Sequence, residues 1–195
     1  MCSSDLYRKV SRICLLWALP LLVLAHPAVE TQIGDLSRAI VRTPDSPALY
    51  LRRGLLHAQH GDRELARQDF EAAQVLKDSA DVQIALGNLY FSEDDPVRAG
   101  EHFAQAIQMA GESPSAWLGQ AKTAAALGAN ELALLSYRTY FQLADNPQPG
   151  YLAAAVRDIA PYDRQAAITL LNDALERLGP VPTLTKLADK LKQVP

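Results

Sequence analysis

A pattern of small and aromatic residues recurs along this chain at a spacing of 33–34 residues. Gly54, Ala66, Phe70 and Ala73 return as Gly87, Ala99, Phe103 and Ala106, then as Ala121, Ala133, Tyr137 and Tyr140. A fainter copy follows in Ala155, Ala167, Leu171 and Ala174. A fixed period of this length marks an array of helix pairs. One pair cannot bury its own apolar face, so successive copies must stack on each other.

Each copy reads as two helices. Tyr50, Arg53, Gly54 and His57 are helically spaced, and Gly61-Asp62 then breaks the chain. Leu65, Ala66, Asp69, Phe70 and Ala73 fall on one face of a second helix. Glycine inside a helix costs ~1 kcal/mol relative to alanine. Gly54, Gly87 and Ala121 are therefore expected where two backbones approach closely, with Phe70, Phe103 or Tyr137 filling the space that the small residue leaves.

These residues resemble the tetratricopeptide repeat (TPR) family, whose pattern runs aromatic, Leu-Gly or Leu-Ala, aromatic, Ala, aromatic, Ala. The second copy matches it as Leu86-Gly87, Tyr90, Ala99, Phe103 and Ala106, and the third supplies Trp117 at the leading aromatic position. The resemblance covers roughly Ser46 to Gly179. It implies an all-α, right-handed superhelical solenoid of about four helix pairs, with repeats near 47–79, 80–113, 114–147 and 148–181. Pro161 falls where the first helix of the fourth repeat should end, so that helix is expected to be short.

Both ends carry single helices. Ile33, Leu36 and Ile40 lie at helical spacing within 31–41, in register with the second helix of a truncated leading repeat. Residues 182–195 place Leu184, Leu187 and Leu191 on one side and Lys186 and Lys190 on the other, the amphipathic character of a solenoid cap. The lysines are either a solvated face or a small basic patch for an acidic partner. The TPR domain is thus expected over 30–195, behind a separate N-terminal segment.

That segment, residues 1–25, has the grammar of a secretory signal. Arg8, Lys9 and Arg12 form a basic flank, Ile13–Ala25 is an uncharged apolar run, and Val23-Leu24-Ala25 offers a small-residue cleavage site. The run falls short of the ~20 residues that span a bilayer. A periplasmic or secreted chain starting near His26 is expected, with an uncleaved inner-membrane anchor as the alternative. Both cysteines, Cys2 and Cys14, lie in this segment, so the remainder has no disulfide, thiol nucleophile or thiolate metal site. The net charge of −3 gives no electrostatic footprint for nucleic acid.

Nothing recommends catalysis. His57 and His60 are spaced as metal ligands sometimes are, but His57 falls at an aromatic position of the repeat and is expected to pack inside. His60 precedes Gly61, near a helix C-terminus where positive charge is favoured. His102 has no companion ligand. Glu93-Asp94-Asp95-Pro96 reads as a turn and helix start rather than a calcium loop. No phosphate-binding glycine loop and no Ser-His-Asp set is present. No cofactor and no metal are expected.

In proteins of the resembling family the first helices line a concave groove that receives a partner. Carried onto this chain, its positions give Leu51 and Leu55, then Ile84, Asn88 and Phe91, then Ser115, Leu118, Lys122 and Ala125, and lastly Leu152 and Val156. The chaperone-binding members hold two carboxylates with Lys, Asn and Arg. Leu51 and Leu55 stand where that clamp needs Lys and Asn, so a chaperone-tail receptor is not expected. The expectation is a non-enzymatic adaptor in the cell envelope that binds a peptide or helix, or alternatively a membrane-anchored assembly factor for an envelope, secretion or respiratory complex. A short array that fills part of its own groove is the competing reading.

Overall fold

A computed structural model of the chain describes residues 26–193. The basic flank and apolar run of residues 1–25, and with them both cysteines, lie outside the described residues. Among the described residues the fold is all-α, with ten helices packed as consecutive pairs. They are α1 (His26–Arg42), α2 (Pro47–His60), α3 (Arg63–Leu76), α4 (Ala80–Ser92), α5 (Pro96–Met109), α6 (Pro114–Ala126), α7 (Asn130–Leu143), α8 (Pro149–Ile159), α9 (Arg164–Leu178) and α10 (Pro182–Gln193). None is long and apolar enough to cross a membrane. The chain divides into two compact units, one ending at Leu76 and the other beginning at Lys77.

Local chemistry sets the helix ends. Proline opens α2, α5, α6 and α8, where its missing N–H would have had no helical partner. Asp95 caps α5 by accepting from Arg98 N at 3.1 Å, and Asp163 caps α9 by accepting from Ala166 N at 2.8 Å. The turns inside the first three pairs each use one left-handed residue. Gly61 (φ 94°), Asp94 (φ 61°) and Gly128 (φ 70°) take it at equivalent places in three repeats. Asp94 is the non-glycine member, and aspartate tolerates this conformation better than most residues. The acidic turn is therefore a helix stop followed by a helix start. The fourth repeat has no such residue, and α8 closes in an αR conformation before Pro161. At 11 residues α8 is shorter than the 13 or 14 residues of the other first helices.

In the first unit the small residue and the aromatic meet as the repeat pattern requires. Phe70 is 1% exposed between alanines 66 and 73, both fully buried. A Cβ built on Gly54 would lie 2.6 Å from Phe70 Cε1, which is why this position stays bare. Arg53 ties the three helices together. Its Nε and Nη2 donate to the two oxygens of Asp69 at 2.8 and 2.6 Å, and Nη1 donates to Ser37 Oγ at 3.0 Å. This two-point geometry is the stronger form of a guanidinium–carboxylate pair.

The second unit repeats the small-residue contact and extends it. Phe103 is 1% exposed and lies against Gly87 of its own repeat, where an added Cβ would be 2.9 Å from its ring. It also lies against Gly119 of the next repeat, where the distance would be 2.1 Å. In the third repeat Tyr137 replaces phenylalanine, and its hydroxyl donates to Asp158 Oδ2 on α8 at 2.9 Å. Burial, followed by that hydrogen bond, holds the phenol well above the ordinary tyrosine range. The C-terminal helices are fastened through backbone carbonyls. Arg177 of α9 donates to Phe141 O and, at 3.1 Å, to Ala144 O, satisfying the end of α7. Arg164 donates to Leu191 O of α10. Leu184 and Ala188 of α10 join the buried cluster that holds Leu152, Val156 and Ile159 of α8.

Candidate interaction groove

Within the second unit, α4 packs on α6 and α6 packs on α8, so the first helices of successive repeats lie side by side. The second helices bury small residues toward their partners, which leaves the other face of the first helices open. On α4, Asn88 is exposed, Phe91 keeps 37% of its surface accessible, and Ile84 is half-buried. On α6, Leu118, Lys122 and Ala125 are half-buried, while Ser115 is exposed. The face carries apolar surface, with the Lys122 ammonium on the side toward α8.

That cation has an aromatic partner. Lys122 Nζ lies 4.6 Å from the centroid of the Tyr151 ring, a cation–π contact across α6 and α8. Loss of hydration pulls the ammonium below the ordinary lysine range. Among the described residues no carboxylate forms an ion pair with it.

Leu152 does not belong to this face. It is fully buried, and so is Val156. Both were expected at the groove from repeat register alone. They are covered because α10 brings Leu184 against α8, and the leucines of a capping helix need an apolar surface to bury. Leu152 and Val156 are thus covered at the C-terminal end, while the face stays open on α4 and α6. In the first unit, Leu55 of α2 is 50% exposed and Leu51 half-buried.

The histidines serve the fold. His57 is 9% exposed, with Nδ1 at 3.7 Å from Asp62 Oδ2 and Nε2 at 4.0 Å from Asp69 Oδ2. His60 closes α2, its Nδ1 at 3.2 Å from Asp62 Oδ2. His102 stacks on Tyr90 with centroids 5.2 Å apart and rings nearly parallel at 4°. Its Nδ1 lies 2.7 Å from Oε1 of the fully buried Gln83, whose Nε2 donates to Asp78 Oδ1 at 2.7 Å. With Gln83 Nε2 turned to Asp78, its Oε1 faces the ring and can only accept, so the imidazole donates from Nδ1. Among the described residues no group of three or more His, Cys, Asp and Glu side chains is placed to hold a metal ion.

Burial is the chief cause that lowers the His102 pKa below the ordinary histidine value; Glu101 and Asp78 oppose it and Arg98 adds to it. The unfolded chain then binds this proton more readily than the folded one. Stability is retained above the unfolded value near 6.5 and is lost as pH falls through it toward the folded value. Urea midpoints should fall between about pH 7 and about pH 5, and His102→Phe, which keeps a ring against Tyr90, should flatten that slope. An unchanged slope in the variant would assign the acid sensitivity to other groups.

Several of these partners were not identified from the sequence. Arg53 and Asp69 sit on otherwise apolar faces, the one visible sign that they pair. Gly119 carries no mark beyond being a glycine inside a helix.

No protein-family model matches the sequence, and no curated protein matches it. Solved structures do match in fold. PilW, described as a widely conserved type IV pilus biogenesis factor, superposes with a TM-score of 0.70 at 16% identity, over 86% of this chain and 80% of that one. YrrB, a TPR protein described as having an unusual peptide-binding site, gives 0.65 at 18% identity, over 87% of each chain. Cut9, in the APC/C hetero-tetramer Cut9–Hcn1, gives 0.69 at 18% identity. The match covers 86% of this chain but only 34% of that longer one. At these identities the likeness establishes the fold alone, which is that of a TPR-like solenoid.

Proposed function

We propose that this chain is a non-enzymatic adaptor of the cell envelope that holds a peptide or helix of a partner protein against the first helices of its repeats. The observation that carries the reading is the open face of α4 and α6. There Phe91, Ile84 and Leu118 present apolar surface beside the desolvated, ion-pair-free Lys122. Exposed apolar patches of this kind mark interaction sites, and aromatic residues dominate their energetics. Asn88 supplies a polar point, and Leu51 and Leu55 offer a second apolar face in the first unit. The export half of the proposal rests on residues 1–25. YrrB, a TPR protein of similar fold with a peptide-binding site, is a precedent for the binding half, and PilW, a type IV pilus biogenesis factor, for an assembly role.

A second reading keeps the apolar run Ile13–Ala25 as an anchor and makes the chain an assembly factor for a membrane complex. N-terminal sequencing of protein from the native host separates the two. A start near His26 supports the adaptor, and an intact leader on membrane-bound protein supports the anchor. A cytoplasmic protein that keeps Met1 removes both.

The groove is tested by pull-down from the envelope fraction with variants whose fold is checked by circular dichroism. Phe91→Ala should weaken capture of the partner by ~2 kcal/mol or more, while folded His57→Ala should capture the same partner as the parent. Normal binding by the Phe91 variant, with loss in the His57 variant, would overturn the groove assignment.

A further inference from the structure

A second recess lies between α8 and α10, apart from the open face of α4 and α6. It is a cleft of about 520 Å³, within the usual range for ligand sites. Its apolar lining includes Ala153 and Val156 of α8, Ala160 directly after that helix, and Leu187 and Leu191 of α10. Its charged side chains are Arg157 and Lys190, and no carboxylate lines it. Both cations are exposed, and among the described residues neither has a hydrogen-bond or ion-pair partner. The carboxylate next to Arg157, Asp158, already accepts from the Tyr137 hydroxyl. A chain of net charge −3 therefore presents here a local site of the opposite sign.

We infer that the α8–α10 cleft is a docking site for an acidic, amphipathic peptide segment of a partner protein. Its carboxylates would pair with Arg157 and Lys190, and an aliphatic side chain between them would enter the recess above Leu187 and Leu191. Charge complementarity selects the sign of the occupant, and the apolar floor selects against a plain polyanion, which would leave that floor wet. The recessed position of the leucines selects against a lipid surface, because side chains lying between two helices do not reach into a bilayer. The inference does not rest on the groove of α4 and α6, since the two sites share no residue.

The test presents the immobilised chain with a random-peptide display library, beside the Arg157→Gln/Lys190→Gln double variant and the charge-preserving Arg157→Lys/Lys190→Arg variant. The parent should enrich peptides in which Glu or Asp flanks Leu, Ile or Val. A synthetic peptide of that sequence should bind with affinity that falls with added salt, and should lose on the order of ten-fold on the double glutamine variant. The charge-preserving variant should retain it, and so should Phe91→Ser, which separates this site from the groove. The inference fails if the library yields no acidic peptide, or if the peptides found bind the glutamine variant as they bind the parent. It also fails in favour of a lipid surface if phosphatidylserine vesicles sediment the parent, but not the glutamine variant, and no acidic peptide is enriched.

Discussion

Gly119→Leu should unfold the second unit under conditions where the parent is stable. The Cβ alone would lie 2.1 Å from Phe103 Cε1, and the ring has no room to retreat because Gly87 bounds it as well. Overpacking a filled core costs roughly 1–3 kcal/mol and sometimes more. A leucine at this contact belongs at or beyond the upper end of that range. Gly119→Ala should show the same effect in smaller measure, although alanine is the better helix former by ~1 kcal/mol. Lys186→Ala, on the exposed side of α10, should change stability by no more than about 0.5 kcal/mol. Urea melts followed by circular dichroism decide this, and equal midpoints for Gly119→Leu and Lys186→Ala would mean that the packing at Phe103 is misassigned.

Arg53→Leu should be the most damaging polar change in the first unit. It would leave Asp69, whose side chain is 5% exposed, as a buried carboxylate without its guanidinium. Breaking a fully buried pair costs about 3–5 kcal/mol. The Arg53 side chain keeps 22% of its surface accessible, so water can partly compensate, and ~2–3 kcal/mol is the expected loss. Adding Asp69→Leu to Arg53→Leu should recover most of it, since an apolar pair of suitable shape replaces a buried ion pair with little penalty. The second repeat already follows this logic in part: Leu86 occupies the place equivalent to Arg53, and His102 the place equivalent to Asp69. A double variant as unstable as Arg53→Leu alone would show that Arg53 matters for its reach to Ser37 rather than for neutralising Asp69.

The repeat period could be read directly because it rests on residues with one job. Gly54, Phe70, Ala66 and Ala73 have to be small or large at fixed intervals, and the folded helices put them in contact as the spacing requires. Pro161 shortened its helix for a reason equally local. Gly119 was hidden because a contact between repeats falls outside the pattern within a repeat. Leu152 shows the same limit at the candidate site. Its register position is that of Leu118, yet α10 covers it, and whether a cap folds over a groove depends on packing that no single repeat encodes. Lys122 could be placed on its face, but its aromatic partner Tyr151 lies 29 residues away on another helix, where no periodic signal connects the two.

Phe103 has a consequence for how the second unit melts. One ring is held by Gly87 and by Gly119, so the α4–α5 pair and the α6–α7 pair draw on the same buried surface. Neither pair can open without stripping the other of part of its lining. In a one-dimensional array this is a large nearest-neighbour term, and it suppresses partly frayed intermediates at that junction. The two pairs should therefore exchange their backbone amide protons with a common opening free energy, as a single cooperative block rather than as two independent hairpins.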